Sequence, residues 1–141
     1  MTSSGESSLV QPVFFVDRCL GTGDVPQALR LAGAMVEIHD DHFDCTCDDE
    51  EWIGEVARRG WIILTKDKRI RRRAAEISTL RQAGAAAFVL TAGSINGAEM
   101  GQVFVDAMPE MISTLSNQAR PFVATVTRSG KVTVRFTTSH S

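Results

Sequence analysis

The feature that most constrains the fold is a short apolar run that ends abruptly in charged residues. Trp61 to Leu64 follows a glycine and carries only apolar side chains, which is typical of a strand buried on both faces. Asp67 stands just past the end of this run. In open α/β sheets, ligands and catalytic groups gather at the carboxyl ends of the strands. The sequence therefore places Asp67 where a functional site is expected.

Similar apolar runs alternate with stretches of helical periodicity. The runs predict buried strands at 13–16, 34–38, 61–64 and 85–90. Helices are expected at 25–32, from Asp48 to Gly60, at about 71–84 and at 97–117. Pro109 predicts a kink or break in the last helix, and Asp48 with Glu51 predicts a capping box. This order favours an α/β fold with a mostly parallel central sheet and helices on both faces.

The C-terminal region predicts a hairpin within one domain. Two alternating segments, 121–127 and 131–136, are joined across 128–130 and should add antiparallel edge strands. A chain of 141 residues is long enough for one core and too short for two. Residues 1–11 are Ser-rich and polar, so we expect a disordered N-terminal tail before a single domain over 12–137, with the hairpin at 121–136.

Composition favours a cytoplasmic protein. No apolar run approaches the roughly 18 residues of a membrane span, and the N-terminus lacks the basic and apolar regions of a signal peptide. The three cysteines are an odd count, and Cys45 and Cys47 are one residue apart. Reduced thiols are therefore expected, and no membrane partner.

Charge is strongly segregated along the chain. Acids crowd residues 40–51, whereas a basic cluster follows the third strand and consists of Lys66, Lys68, Arg69, Arg71, Arg72 and Arg73. Such a cluster would bind the phosphate backbone of a nucleic acid without reading its sequence. The alternative is a solvated helix face.

Three acids could meet at one edge of the predicted sheet. Asp17 and Asp67 both leave the carboxyl ends of strands, and Asp49 begins the helix that leads into the second of these strands. Magnesium and manganese prefer clustered oxygen ligands, so three such acids suit metal-assisted hydrolysis of a phosphodiester. Taken singly, each acid is equally typical of a turn or a helix cap.

A second set of ligand-type residues lies between the second strand and the second helix. It comprises His39, His42, Cys45 and Cys47. The spacing of the cysteines is tighter than the two to four residues of standard zinc sites. Zinc binding here therefore stays an open alternative.

Three segments together resemble the PIN-like nucleases, in the branch that includes VapC-type toxins of toxin–antitoxin pairs and Mut7-C-like domains. They are Phe14 to Gly21, Asp49 to Ala57 and Ile63 to Lys68. The resemblance spans about residues 14–90 and implies a three-layer α/β/α fold, an Mg²⁺- or Mn²⁺-dependent ribonuclease activity, an RNA substrate and often an antitoxin partner. It also implies that Asp17, Asp49 and Asp67 are the catalytic, metal-binding acids.

The sequence leaves several choices open. Many PIN nucleases carry a fourth acid, for which Glu99 and Asp106 are candidates, and Asp48 could replace Asp49 in register. Our hypothesis is a toxin-type endoribonuclease whose basic cluster seats the RNA, with a homodimer expected if the hairpin or last helix exposes an apolar face. One rival is a catalytically inactive PIN-like module that binds RNA or protein. The other is a receiver-like signalling domain, because an acid follows the first strand there as well.

Overall fold

The six strands form one sheet in the computed structural model, which describes residues 11–71 and 73–137. Their bounds are β1 Val13–Val16, β2 Met35–Ile38, β3 Ile62–Thr65, β4 Ala86–Leu90, β5 Phe122–Val126 and β6 Val132–Thr137. The order across the sheet is β2-β1-β3-β4-β5-β6. All pairings are parallel except that of β5 with β6. The predicted hairpin therefore forms, but β5 itself runs parallel to β4, and only β6 is antiparallel.

Helices cover both faces of the sheet, as predicted. They are α1 Asp24–Leu31, α2 Asp49–Arg58, α3 Ala74–Ala83 and α4 Gly97–Asn117, with 3₁₀ turns at Arg18–Leu20, His39–Asp41 and Lys68–Arg71. α1 packs with α4 on one face, and α2 packs with α3 on the other. Pro109 lies inside an unbroken α4, so the predicted break is wrong. Within residues 11–71 and 73–137, no helix is long and apolar enough to cross a membrane.

Two apolar cores lie on opposite faces of the sheet. Phe14 and Leu64 belong to the core beneath α1 and α4, whereas Phe15 and Ile63 belong to the core beneath α2 and α3. Alternate strand residues point to opposite faces, so Ile62, Ile63 and Leu64 of β3 are all apolar and all buried. Burying each such side chain stabilises the fold by about 1.5–3 kcal/mol.

The helix starts differ in how they are capped. At α4, the Asn96 side chain accepts a hydrogen bond from the Glu99 amide at 2.8 Å, and the Glu99 side chain accepts one from the Asn96 amide at 2.9 Å. Asp48 precedes α2, but its side chain makes no capping hydrogen bond. The capping box predicted for Asp48 and Glu51 is therefore wrong.

The sheet has a topological switch point between β1 and β3. The chain leaves β1 through α1 to reach β2, and leaves β2 through α2 on the opposite face to reach β3. Connections that diverge in this way open a crevice at the carboxyl ends of the two central strands. Asp17 and Asp67 follow those strands.

The N-terminal prediction lies mostly outside the described residues. Residues 1–10 are not described, so the tail stays a prediction, as does the single domain over 12–137. Arg72 is likewise outside the described residues, and so are the side chains of Arg69 and Arg71.

Candidate active site

Asp17 is held between β1 and β3 by its backbone and by its carboxylate. Its amide donates to the Leu64 carbonyl at 3.0 Å, which extends the parallel pairing of Val16 with Leu64. The Thr65 hydroxyl donates to Oδ2 of Asp17 at 2.7 Å and accepts a hydrogen bond from the Asp67 amide at 3.0 Å. One threonine hydroxyl thus fixes the carboxylate of Asp17 relative to the backbone of Asp67.

Cys19 completes this network. Its Sγ lies 3.4 Å from Oδ2 of Asp17 and 3.2 Å from the Thr65 hydroxyl, and it accepts a hydrogen bond from the Lys66 amide at 3.4 Å. Burial and the neighbouring Asp17 charge raise the pKa of Cys19 to about 11. Cys19 therefore remains a thiol at neutral pH and acts as a hydrogen-bond donor. A nucleophilic cysteine would instead need a lowered pKa.

Burial also raises the pKa of Asp17. The hydrogen bonds from Thr65 and Cys19 oppose this effect because they favour the charged form, whereas the charge of Asp49 adds to it. Asp17 is only 9% exposed. Among the described residues, the groups that shift the pKa of this nearly enclosed carboxylate include a second acid and no cationic side chain.

Asp49, rather than Asp48, lies beside the other two aspartates. It is the first residue of α2, and the indole Nε1 of buried Trp52 donates to its Oδ1 at 3.0 Å. Asp48 is exposed at the N-cap position. The sequence left Asp48 and Asp49 as alternatives for the third acid, and the structure favours Asp49.

One cleft brings the three predicted acids together. Its volume is about 340 Å³, and it is lined by Asp17, Arg18, Cys19, His39, Cys45, Cys47, Asp49, Trp52 and Asp67. A smaller adjoining pocket is lined by the same three aspartates together with Glu76. Another cavity, of about 390 Å³, lies near the start of β1, and its lining includes Arg59 and Arg120 but no carboxylate among the described residues.

Glu76 is the acid that the sequence analysis missed. It is the third residue of α3 and only 5% exposed. Burial, a hydrogen bond with Asp49 and the charges of Asp49 and Asp67 raise the pKa of Glu76 to about 7, while Arg73 lowers it. Its Oε1 is buried without a hydrogen-bond partner among the described residues.

The two candidates for a fourth acid lie elsewhere, on α4. Glu99 forms the capping box with Asn96, and Asp106 accepts a hydrogen bond from Gln102 at 2.8 Å. Neither lines the cleft or the adjoining pocket. One sequence signal could have pointed to Glu76. The residue before α3 is an arginine, whose side chain offers no oxygen to form a capping box with Glu76.

The donor chemistry of the four acids fits a hard divalent cation. All supply carboxylate oxygens, which Mg²⁺ and Mn²⁺ prefer. Oε1 of Glu76 has no hydrogen-bond partner among the described residues, and the charges of neighbouring acids contribute to the raised pKa values of Glu76 and Asp17. Across residues 11–71 and 73–137, however, no three His, Cys, Asp or Glu side chains are arranged to hold a metal ion. The fit therefore rests on donor type and charge.

The zinc alternative gains no support from these side chains. Among the described residues, which include His39, His42, Cys45 and Cys47, no three ligand-type side chains are arranged to hold a metal ion. His42 instead pairs through Nε2 with Oε1 of Glu37 at 2.7 Å. His39, Cys45 and Cys47 line the cleft.

Of the predicted basic residues, the three whose side chains are described, Lys66, Lys68 and Arg73, do not line the cleft. Lys66 and Lys68 are exposed, and Arg73 lines a shallow groove with Asp48, Asp49, Glu50 and Glu76. Arg18, which the sequence analysis did not select, is the one lysine or arginine among the described side chains that lines the cleft. Its Nε donates to Oδ1 of Asp40 at 2.9 Å.

Comparison with known proteins agrees with this geometry. A family model described as a PIN like domain matches residues 12–92, which is more than half of the chain. The chain belongs to the PIN-like domain family. "Putative ribonuclease VapC45" of Mycobacterium tuberculosis is 34% identical over 116 residues, which cover 79% of this chain and 83% of that protein. No solved structure matches the chain.

Membership of the PIN-like domain family decides between the fold alternatives. The matched residues contain Asp17, Asp49, Asp67 and Glu76. The resemblance predicted over residues 14–90 is confirmed, as is the three-layer α/β/α fold. The receiver-like alternative is wrong.

Proposed function

We propose that this PIN-like domain is a metal-dependent endoribonuclease and the toxin of a toxin–antitoxin pair. The observation that carries the proposal is the pocket at the switch point of the sheet, where Asp17, Asp49, Asp67 and Glu76 meet. The relative in Mycobacterium tuberculosis, named as a VapC ribonuclease, supports the activity and the toxin assignment. RNA is the proposed substrate, and the cytoplasm is the proposed location.

Asp17, Asp49 and Asp67 would hold the metal, with Glu76 as a fourth ligand. Bound Mg²⁺ or Mn²⁺ would activate a water molecule and offset the charge that develops on the phosphate. Thr65 and Cys19 keep the carboxylate of Asp17 in place, and Trp52 does the same for Asp49. A donor that orients each ligand in this way reduces the reorganisation needed when a metal binds.

Substrate binding is proposed to combine the cleft with the basic residues around it. Lys66, Lys68 and Arg73 are exposed near the acids, and we assign the same role to Arg69, Arg71 and Arg72 from the sequence. These cations would supply affinity for the RNA backbone, and the cleft would select the phosphodiester to be cut. A cognate antitoxin and a homodimer complete the proposed partners.

The first test is cleavage of RNA by the purified protein. We expect cutting with Mn²⁺ or Mg²⁺, none with EDTA, and a loss of at least about a hundredfold for Asp67→Asn, since outer-shell substitutions alone cost 10–100-fold. Asp106→Asn, an exposed acid on α4, is the matched control and should cut normally. Full activity of Asp67→Asn, or cutting that persists in EDTA, would end this assignment.

A catalytically inactive PIN-like module that binds RNA or protein is the remaining alternative. It is favoured by the finding that no three ligand-type side chains among the described residues are arranged to hold a metal. It predicts RNA binding of equal affinity with Mn²⁺ and with EDTA, and no cleavage in either. The nuclease proposal predicts that titration with Mn²⁺ raises the unfolding temperature of the wild type but not of a variant that lacks Asp17 and Asp67 carboxylates.

A further inference from the structure

His39 occupies the same position after β2 that Asp17 occupies after β1. The two strands are parallel and pair Val16 with Ile38, so the residues that follow lie side by side at the carboxyl edge of the sheet. His39 is 3% exposed and lines the cleft together with Asp17. An ionisable side chain is thus buried next to the carboxylates, and the metal chemistry does not use it.

One nitrogen of this imidazole is not satisfied by the described part of the protein. Its Nδ1 is buried and has no hydrogen-bond partner among the described residues. The nearest carboxylate oxygen, Oδ1 of Asp40, is 3.7 Å away, which is too far for a hydrogen bond. Leaving a buried polar atom unpaired destabilises the folded state. A histidine retained at this cost needs an explanation outside the apolar core.

The surroundings of the ring hold it in one orientation. Its centroid lies 5.4 Å from that of Phe43, 5.8 Å from that of Trp52 and 6.1 Å from that of Phe15. Asp40, beside Nδ1, is in turn held by Arg18 at 2.9 Å. An aliphatic or aromatic side chain would pack in this cage without an unpaired nitrogen. The aromatic packing around the ring therefore does not by itself require a histidine at this position.

We propose that His39 is a substrate-contacting residue whose Nε2 hydrogen bonds to the sugar–phosphate backbone of RNA in the cleft. Nδ1 is buried 3.7 Å from Oδ1 of Asp40, whereas Nε2 is not among the buried unpaired atoms of the described residues, and we therefore assign the ligand contact to Nε2. Contact at this point would place the backbone beside Asp17 and Asp49, which line the same cleft. The inference rests on the proposed function, because it takes RNA as the ligand.

Two amide substitutions test which nitrogen is used. The amide of His39→Gln reaches the position of Nε2, whereas that of His39→Asn reaches only the position of Nδ1. Binding is measured by fluorescence anisotropy with labelled single-stranded RNA in an Asp67→Asn background, so that cleavage does not interfere. We expect about tenfold weaker binding for His39→Asn, as for one lost hydrogen bond to a charged group, and near-normal binding for His39→Gln. In the active background, KM should rise more than kcat falls.

The matched control is His42→Asn, which removes an exposed histidine that pairs with Glu37 outside the cleft. A DNA strand of the same sequence separates the two kinds of backbone contact. A loss confined to RNA supports contact with the ribose hydroxyl, and a loss on both supports contact with phosphate. Equal binding by His39→Asn, an equal loss in His42→Asn, or a loss that follows a lowered unfolding temperature in both amide variants would overturn the proposal.

Failure of the proposed function would look different. If the wild type cuts no RNA with any divalent metal while binding still depends on His39, the ribonuclease assignment fails and the role of His39 stands. If the wild type cuts RNA and His39→Asn binds and cuts normally, the role of His39 fails alone.

Discussion

Three helices of this protein carry a glutamate at the third position of their first turn, and in two of them, α3 and α4, the side chains have opposite roles. Glu99 of α4 is exposed and closes a capping box with Asn96. Glu76 of α3 is 5% exposed and turns toward Asp49 in the pocket shared with Asp17 and Asp67. The same residue type at the same helical position thus stabilises one helix end and adds to a repulsive acidic cluster at the other.

The difference originates in the residues around each glutamate. Asn96 offers a side-chain oxygen to the amide of Glu99, whereas the residue before α3 is Arg73, which offers none. α3 also packs against α2, which begins with Asp49. A first-turn acid is stabilising at an exposed helix start, but burial beside other acids disfavours its charged form and raises the pKa of Glu76 to about 7.

The largest effect that tests this comparison is expected from Glu76→Gln. If Glu76 is a metal ligand, RNA cleavage should fall about 10–100-fold, while the unfolding temperature of the metal-free protein at pH 7.5 should stay level or rise because a buried repulsion is removed. Glu99→Gln should leave cleavage unchanged and lower the free energy of unfolding by up to about 1 kcal/mol. Equal cleavage by both variants would show that the two glutamates do not differ in function.

A smaller effect is expected at two buried threonines. Thr65 donates to Asp17 at 2.7 Å, whereas Thr125 on β5 donates to the Thr133 carbonyl at 3.5 Å and accepts from Arg135. Thr65→Val should slow cleavage about tenfold, as for loss of an outer-shell partner, and should raise the Mn²⁺ concentration needed for half-maximal rate. Thr125→Val should change stability only. If both variants need the same Mn²⁺ concentration for half-maximal rate, Thr65 does not position Asp17 for metal binding.

The exposed lysines extend the comparison to substrate binding. Lys66 lies between Thr65 and Asp67, and Lys131 lies in the C-terminal hairpin; both are exposed. Lys66→Gln should weaken RNA binding a few-fold and reduce the slope of log Kd against log salt by about 0.7, the value for one contact with a single strand. Lys131→Gln should leave the slope unchanged. The prediction is wrong if the two slopes coincide.

The pH dependence of stability should also differ between the wild type and Glu76→Gln. Because the pKa of Glu76 rises from 4.5 to about 7 on folding, the folded protein holds a proton between these values that the unfolded chain has lost. The free energy of unfolding of the metal-free protein should therefore fall as the pH rises from about 4.5 to about 7. Urea titrations at several pH values should show this decline, and Glu76→Gln should flatten it. An equally steep decline in the variant would assign the effect to other groups, with Asp17 the first candidate because its pKa is also raised.

The sequence alone determined the architecture and three of the four clustered acids. Apolar runs such as Trp61 to Leu64 could only be strands buried on both faces, and the alternation of such runs with amphipathic helices required a parallel sheet. Asp17 and Asp67 could be placed because parallel strands end at a common edge. Asp49 could be placed only within a run of similar acids, since neighbouring positions at a helix start look alike in sequence.

Only the tertiary structure decided which other side chains lie beside the three aspartates. Glu76 and Glu99 occupy equivalent positions in their helices, and no local pattern states that α3 packs beside α2 while α4 packs on the other face. His39 and Thr65 flank Asp17 because β2 and β3 are both its neighbours in the sheet, and strand order depends on which faces the connecting helices cover. Periodicity fixes which residues of an element are buried, but their partners are set by packing over long separations in sequence, which no local pattern records.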